Sequence, residues 1–235
     1  MRIEVCQTAG EVAVRGATLV AEALAKDRDL VLALPTGRTP IAMYKHLTAQ
    51  REAQQVDFGR ATVFNLDEVL LPNNDPRTFF QFMTRHVWRP LGIGSERRFI
   101  PDGGTSDPGA ECAQYETLVR AAGGLGLAVL GIGADGHIAY NLPHQTALRT
   151  HVVTLDRATA ETLGPSKPGV LRAITMGVDT ILEARLLVLL ATGRTKAAAL
   201  RRMRDERASE KWPCTLFRDH ADLLVVADEA AASQL

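Results

Sequence analysis

Short, continuously apolar runs alternate with longer stretches of mixed character along the whole chain. The runs occupy 30–34 (LVLAL), 61–65 (ATVFN), 126–132, 150–155 (THVVTL), 185–191 and 222–227 (DLLVVA). Runs of this length without polar alternation mark strands covered on both faces. Between them, apolar positions recur at helical spacing over 8–25, 40–52, 77–88, 107–122, 177–184 and 195–208, which predicts helices. Strands alternating with helices build a parallel sheet flanked on both sides. The expectation is an α/β protein with a single doubly wound, mostly parallel, Rossmann-like sheet. No Pro- or Ser-rich linker, composition break or internal repeat divides the 235 residues, so one domain over 1–235 is expected. The run LLVLLA at 186–191 is strand-length and cannot span a bilayer.

Such a sheet holds ligands outside the carboxyl ends of its strands, so the loops there are the place to look for chemistry. The first is LPTGRTP (34–40), where Thr36, Gly37, Arg38 and Thr39 feed a helix. Pro40 suits the first turn of that helix, having no N–H to leave unpaired. Backbone N–H groups, two hydroxyls and a guanidinium at a helix amino end suit a phosphate. A plain turn capped by a threonine is the alternative. The second is FNLDEV (64–69), in which Asp67 and Glu68 sit where a strand leaves the sheet. A carboxylate there serves as a general base or as a helix cap.

The third loop, LGIGADGHIAYNLP (130–143), is the most informative. Its glycines let backbone approach a ligand closely. Asp135, two residues before His137 and separated from it by Gly136, can orient the imidazole and raise its basicity, as a proton carrier near neutral pH requires. Asn141 adds a donor and an acceptor. A tight turn with a surface histidine is the alternative, and His144 is the one other histidine in a related context. The fourth, LLATGRTKAAAL (189–200), places Lys196 in the first turn of a helix. A lysine there opposes the helix dipole, which points to an anion rather than to structure; a solvent-facing lysine is the alternative.

Charge narrows the partners. With 27 Lys+Arg against 27 Asp+Glu the formal net charge is zero, so the chain has no general attraction for nucleic acid or an anionic membrane. An anionic ligand must be held by a local site. A composition 46% hydrophobic and 23% charged belongs to a globular chain, not a disordered one. The three cysteines, Cys6, Cys112 and Cys214, are far apart and odd in number, which predicts free thiols and a reducing compartment. The start MRIEVCQTAGEV lacks a basic segment followed by a long apolar one, so a cytoplasmic location is expected.

In this order and spacing, LPTGRTP, FNLDE, GADGHIAYN and GRTKAAAL resemble the glucosamine-6-phosphate deaminase/isomerase family and its relative, 6-phosphogluconolactonase. The resemblance runs from about Leu30 to the C-terminus and includes RTHVVTLDRAT (149–159), AITMGVDTIL (173–182) and WPCTLF (212–217). It implies conversion of an amino-sugar 6-phosphate and water to a ketose 6-phosphate and ammonia, with neither metal nor organic cofactor. It implies that Asp67 moves a proton between C2 and C1 through an enolamine, and that His137, oriented by Asp135, assists ring opening. Thr36, Gly37, Thr39 and Lys196 would hold the phosphate of a small sugar-phosphate partner. The protein would be a monomer or small homo-oligomer.

Departures from the pattern shape the alternatives. Deaminases read GHIAFNEP, where a Glu completes an Asp-His-Glu relay; here that position is Leu142. The phosphate-binding Arg expected after TLDRAT has no counterpart in AETLGPSKPGV (160–170), leaving Lys167 or Arg38 to supply the charge. Residues of the allosteric amino-sugar site of larger members are not recognisable. The same departures resemble lactonases, which carry GGRTP, an apolar residue before the proline that follows DGH, and a short SPKP segment, like Pro165-Ser166-Lys167-Pro168 here. In that reading His137 is the general base for water attacking 6-phosphogluconolactone. NLDE in place of SDER, Tyr140-Asn141 in place of AS, and the deaminase-like 149–159 and 173–182 favour the deaminase. A non-catalytic sugar-phosphate sensor is the remaining alternative, disfavoured because Asp67, Asp135 and His137 are present together and no helix-turn-helix or basic patch accompanies them.

Overall fold

The strands at the centre of the computed structural model are apolar on every residue because helices cover both of their faces. The structure describes residues 1–164 and 170–235; Lys167 and the Pro165–Pro168 resemblance to lactonases lie outside the described residues. In chain order the elements are β1 (Arg2–Cys6), α1 (Ala9–Lys26), β2 (Val31–Leu34), α2 (Arg38–Glu52), β3 (Thr62–Asn65), β4 (Asp67–Val69) and α3 (Phe79–Met83). A π-helical turn, Thr84–Trp88, leads into α4 (Arg89–Leu91), followed by β5 (Arg98–Phe99), α5 (Pro108–Ala121), β6 (Leu127–Gly131), β7 (His151–Thr154) and α6 (Arg157–Thr162). The rest is β8 (Arg172–Thr175), α7 (Val178–Leu182), β9 (Leu186–Ala191), α8 (Ala197–Asp205) and β10 (Leu223–Asp228).

Seven strands form a parallel sheet in the order β1-β10-β9-β6-β2-β3-β5. Side chains alternate between its faces, as the pleat requires. Leu32, Leu34, Val129 and Leu190 pack with Val12, Val20, Met43 and Trp88 on one face. Ala33, Ala128, Leu130 and Leu189 pack with Tyr115, Ile181, Met203 and Phe217 on the other. The expected strands and helices at 30–34, 61–65, 126–132, 185–191 and 222–227, and at 8–25, 40–52, 107–122 and 177–184, are all present within a few residues. The predicted strand at 150–155 forms, as β7, but lies outside the main sheet. It belongs to a second, antiparallel sheet, β4-β8-β7, roofed by its own cluster of Val69, Phe79, Tyr140, Leu142, Val153 and Ala173.

The chain winds outward from β2 through β3 to β5, then returns to the other side of β2 at β6 and winds away through β9 to β10. Residues following β2 (Met43, Tyr44, Leu47) enter one core, and Ile138, following β6, enters the other. The loops after these adjacent strands therefore part to opposite faces, opening the crevice at the point where strand order reverses.

Candidate active site

At the mouth of that crevice, α2 begins without a side-chain cap. Gly37 occupies the capping position with φ of 109° and ψ of −179° and makes no side-chain cap hydrogen bond. The alternative of a threonine-capped turn is thus not what forms. A φ in this region favours glycine, and the space where a β-carbon would stand is open. Thr39 reaches across to the loop after β9, its Oγ1 lying 3.2 Å from that of Thr192. The neighbouring Gly193, φ 84°, donates its N–H to both carboxylate oxygens of Asp228 at 3.0 Å. This fixes the loop that delivers Lys196.

Lys196 is half-buried. Burial draws its ammonium below the ordinary value, with Asp135 working against that shift and Arg38 reinforcing it. These three residues come from three strand ends, so their mutual influence shows that the loops converge. Arg38 is exposed, and among the described residues neither it nor Lys196 forms an ion pair. Two cations without a carboxylate partner of their own, beside an uncapped helix start and two threonine hydroxyls, are what an anionic group needs.

The loop after β6 builds the acid–base pair. Nδ1 of His137 lies 2.7 Å from Oδ1 of Asp135, which also accepts the His137 backbone N–H at 3.2 Å. Burial pushes the Asp135 carboxyl up, but the hydrogen bond and charge of His137 outweigh it and hold the carboxyl below its ordinary value. Two glycines make the turn possible. A β-carbon on Gly133 would collide with the His137 ring and the Asp135 carboxylate, and one on Gly136 (φ 83°) would stand 2.9 Å from the Trp212 ring and 3.0 Å from the Cys214 sulfur. The Gly136 carbonyl accepts the Cys214 N–H at 2.7 Å, and Glu210 accepts the His144 N–H at 3.0 Å. A segment near the C-terminus thereby clasps the loop at both ends.

Asp67 and Glu68, adjacent on β4, have separate fates because successive side chains point to opposite faces. Glu68 does the work of a cap: Oε1 accepts from Val69 N at 2.7 Å and Phe79 N at 2.8 Å, and Oε2 from Phe80 N at 2.7 Å. Asp67 is 6% exposed, and its Oδ1 has no protein hydrogen-bond partner. Burial, reinforced by Glu68, pushes the Asp67 carboxyl up to about 8. The cap alternative for this motif is thus realised by Glu68, and Asp67 is left without that role. Asp67 is tied to the histidine loop through hydrogen bonds: Met176 N donates to Leu66 O at 2.8 Å, and Asn141 Nδ2 donates to Met176 O at 2.9 Å.

Asn141 is fully buried; its amide bridges Ile138 O and Met176 O, which stabilises the loop. Leu142 is 4% exposed and packs in the small-sheet cluster, pointing into apolar surroundings. A carboxylate placed there would lose hydration without gaining a partner. Leu142→Glu is accordingly expected to destabilise the fold by about 3 kcal/mol, measured by chemical denaturation. His144 is exposed with φ 59° and makes no side-chain hydrogen bond in the structure among the described residues.

Sequence reasoning gave no role to two contributors. Trp212 walls the Gly136 turn and is itself covered by the Arg202 guanidinium, 4.2 Å from the ring centroid. Glu116, buried on α5, gathers Thr150 N at 2.8 Å, Thr150 Oγ1 at 2.5 Å and Thr180 Oγ1 at 2.6 Å, pinning β7 and α7 behind the site. Nothing in local spacing marks either; a carboxylate in an otherwise amphipathic helix reads as a solvent face. Among the described residues no group of three or more His, Cys, Asp or Glu is arranged to hold a metal ion. None of their helices is long and apolar enough to cross a membrane.

Comparison with known proteins finds relatives that match the whole chain. A glucosamine-6-phosphate deaminase from Shewanella loihica is 39% identical over all of this chain and 90% of its own. One from Halothermothrix orenii is 37% identical, with both chains covered completely. Among solved structures, a monomeric glucosamine-6-phosphate deaminase superposes with a TM-score of 0.94 at 35% identity, again covering all of both chains. A 6-phosphogluconolactonase from Leishmania guyanensis shares the fold, with a TM-score of 0.78 at 20% identity over 100% of this chain and 98% of that one. The family model for glucosamine-6-phosphate isomerases/6-phosphogluconolactonase matches residues 5–226, and the chain belongs to that family.

Proposed function

We propose that the protein converts glucosamine 6-phosphate and water to fructose 6-phosphate and ammonia. The observation that carries this reading is Asp67, a buried carboxylate whose Oδ1 has no protein partner and which burial pushes up to about 8, at the same strand ends as the Asp135–His137 pair. Abstraction of a proton next to an imine or carbonyl needs a base of that strength. In this mechanism His137 carries the proton that the ring oxygen takes as the C1–O5 bond breaks, and Asp135 keeps the imidazole oriented. Asp67 then removes the C2 proton to form the enolamine and returns it to C1. The resulting ketose imine takes up water at C2 and expels ammonia. Thr36, Gly37, Arg38, Thr39 and Lys196 hold the phosphate, Arg38 standing where no other guanidinium of the phosphate loop is available. Gly136 and Asn141 shape the floor of the sugar pocket.

Release of ammonia from glucosamine 6-phosphate by the purified protein tests the reading. A second reading rests on Leu142, whose apolar setting leaves a two-membered Asp135–His137 pair such as a lactonase needs to activate water. Rapid hydrolysis of 6-phosphogluconolactone without ammonia release would select it. Phosphate binding predicts a further result. Lys196→Ala should raise the Michaelis constant by about tenfold and change kcat little, because the contact is made before and during reaction. An unchanged Michaelis constant would remove Lys196 from the phosphate site. The chain is read as a monomer, like the solved deaminase it covers from end to end, and as cytoplasmic, in keeping with three free thiols. Sedimentation tests the first and cell fractionation the second.

A further inference from the structure

The loops after β2 and β9 meet at a pair of hydroxyls. β6 stands between these two strands in the sheet. Neighbouring strands lie about 4.8 Å apart, so the two loops set out roughly 10 Å from each other. They close that gap across the end of β6, where the Oγ1 atoms of Thr39 and Thr192 stand 3.2 Å apart. The two sides of the contact are not equally fixed. Next to Thr192, the Gly193 N–H donates to both carboxylate oxygens of Asp228 at 3.0 Å. Asp228 is buried and also accepts the Ala231 N–H at 2.7 Å. A buried carboxylate is costly to separate from its donors, so Thr192 stands on a rigid base. Thr39 does not. It lies in the first turn of α2, whose capping residue Gly37 offers no side chain and has open space where a β-carbon would stand.

Hydroxyl chemistry gives the contact a direction. A threonine hydroxyl has one proton to donate and lone pairs with which to accept, whereas an ionised phosphate only accepts. Once Thr39 donates its proton to the phosphate, its oxygen is free to accept, and Thr192 is in place to donate. We infer that Thr192 is a positioning residue of the phosphate site, its hydroxyl donating to Thr39 Oγ1 and so turning the Thr39 proton toward the ligand. This rests on the proposed phosphate role of Thr39 and is independent of which reaction follows binding. The anchored loop after β9 thereby acts twice, through the charge of Lys196 and through the hydroxyl that orders the more open loop opposite.

The test is a calorimetric titration of the full chain with glucitol 6-phosphate, which carries the phosphate but has no carbonyl or amine to react. Thr39→Val is expected to weaken binding by about tenfold, through loss of a donor to a charged group. Thr192→Val, which keeps the shape and removes the hydroxyl, should weaken it by about fivefold. The double variant should bind within about twofold of Thr39→Val alone, because the second hydroxyl has nothing left to orient. Thr192→Ser keeps the donor and should bind within about twofold of the unmodified protein. Unchanged binding in Thr192→Val overturns the inference. So do losses that multiply in the double variant, which would make Thr192 a separate phosphate ligand or a support of the fold at large. A serine variant as weak as the valine one overturns it as well. Unchanged binding in Thr39→Val removes Thr39 from the phosphate site and the inference with it. Absence of ammonia release from glucosamine 6-phosphate while these affinity ratios hold would overturn the proposed reaction and leave Thr192 in its role.

Discussion

Asp67→Asn is expected to lower the rate of ammonia release by about a thousandfold while leaving the Michaelis constant within a few-fold. The amide has the shape of the carboxylate but no basic oxygen, so it removes the proton transfer and little else. The same variant should be more stable than the parent at alkaline pH. The folded-state affinity of Asp67 for its proton, near 8, lies above the ordinary value of 3.8. Between those limits the folded protein holds a proton that the unfolded chain has released, so stability falls as pH rises through the window. Asparagine carries no such dependence. The advantage of the variant should therefore grow from about pH 4 to about pH 8 and then level off, reaching on the order of a few kcal/mol. Denaturant titrations at several pH values check the trend. A variant that is both inactive and less stable at pH 9 would mean that Asp67 is held by contacts and not strained by burial.

The second large effect is expected at a residue with no chemistry. Gly133→Ala would drive a methyl group into the His137 ring and the Asp135 carboxylate. Neither side chain can retreat without breaking the 2.7 Å approach between them, so the pair is separated or the loop shifts. A fall in kcat of about a hundredfold is expected, with a loss of about 1–3 kcal/mol in stability from overpacking. Gly131→Ala is the control. It lies two residues earlier, at the end of β6, and has nothing within 4 Å of the added carbon, so kcat should stay within a few-fold of the parent. Equal damage from both substitutions would show that the strand end resists any side chain and that the dyad is not the sensitive part.

How far these features could be read in the sequence depended on how each is buried. Strands β2, β6, β9 and β10 announce themselves because two helical layers demand apolar residues on both faces. β1 does not: as an edge strand it has no buried residue, mixing exposed and partly covered ones, RIEVC, and resembles a coil. β4 is three residues long and contains two carboxylates, which in any local reading is a turn. Its strand character comes only from pairing with β8, over a hundred residues away, through Asp67–Thr175, Glu68–Ile174 and Val69–Ala173. The candidate site divides in the same way. Asp67, Asp135, His137 and Lys196 stand out because polar groups at the ends of apolar strands are conspicuous. The division of labour between Asp67 and Glu68, the shielding of Gly136 by Trp212 and the burial of Leu142 depend on long-range packing, which no local spacing encodes.

The pairing of β1 carries a consequence for how the molecule comes into being. Its partner in the sheet is β10, with Arg2 opposite Leu224 and Cys6 opposite Asp228. β1 must therefore wait for β10, more than two hundred residues later, to be made. The histidine loop waits nearly as long, since its clasp is supplied by Glu210 and Cys214. Contacts this distant in sequence close slowly, because the intervening chain must be ordered first. A nascent chain that already holds β2, β3 and β6 side by side therefore has a crevice but no clasped histidine loop in it until the segment around Cys214 has been made.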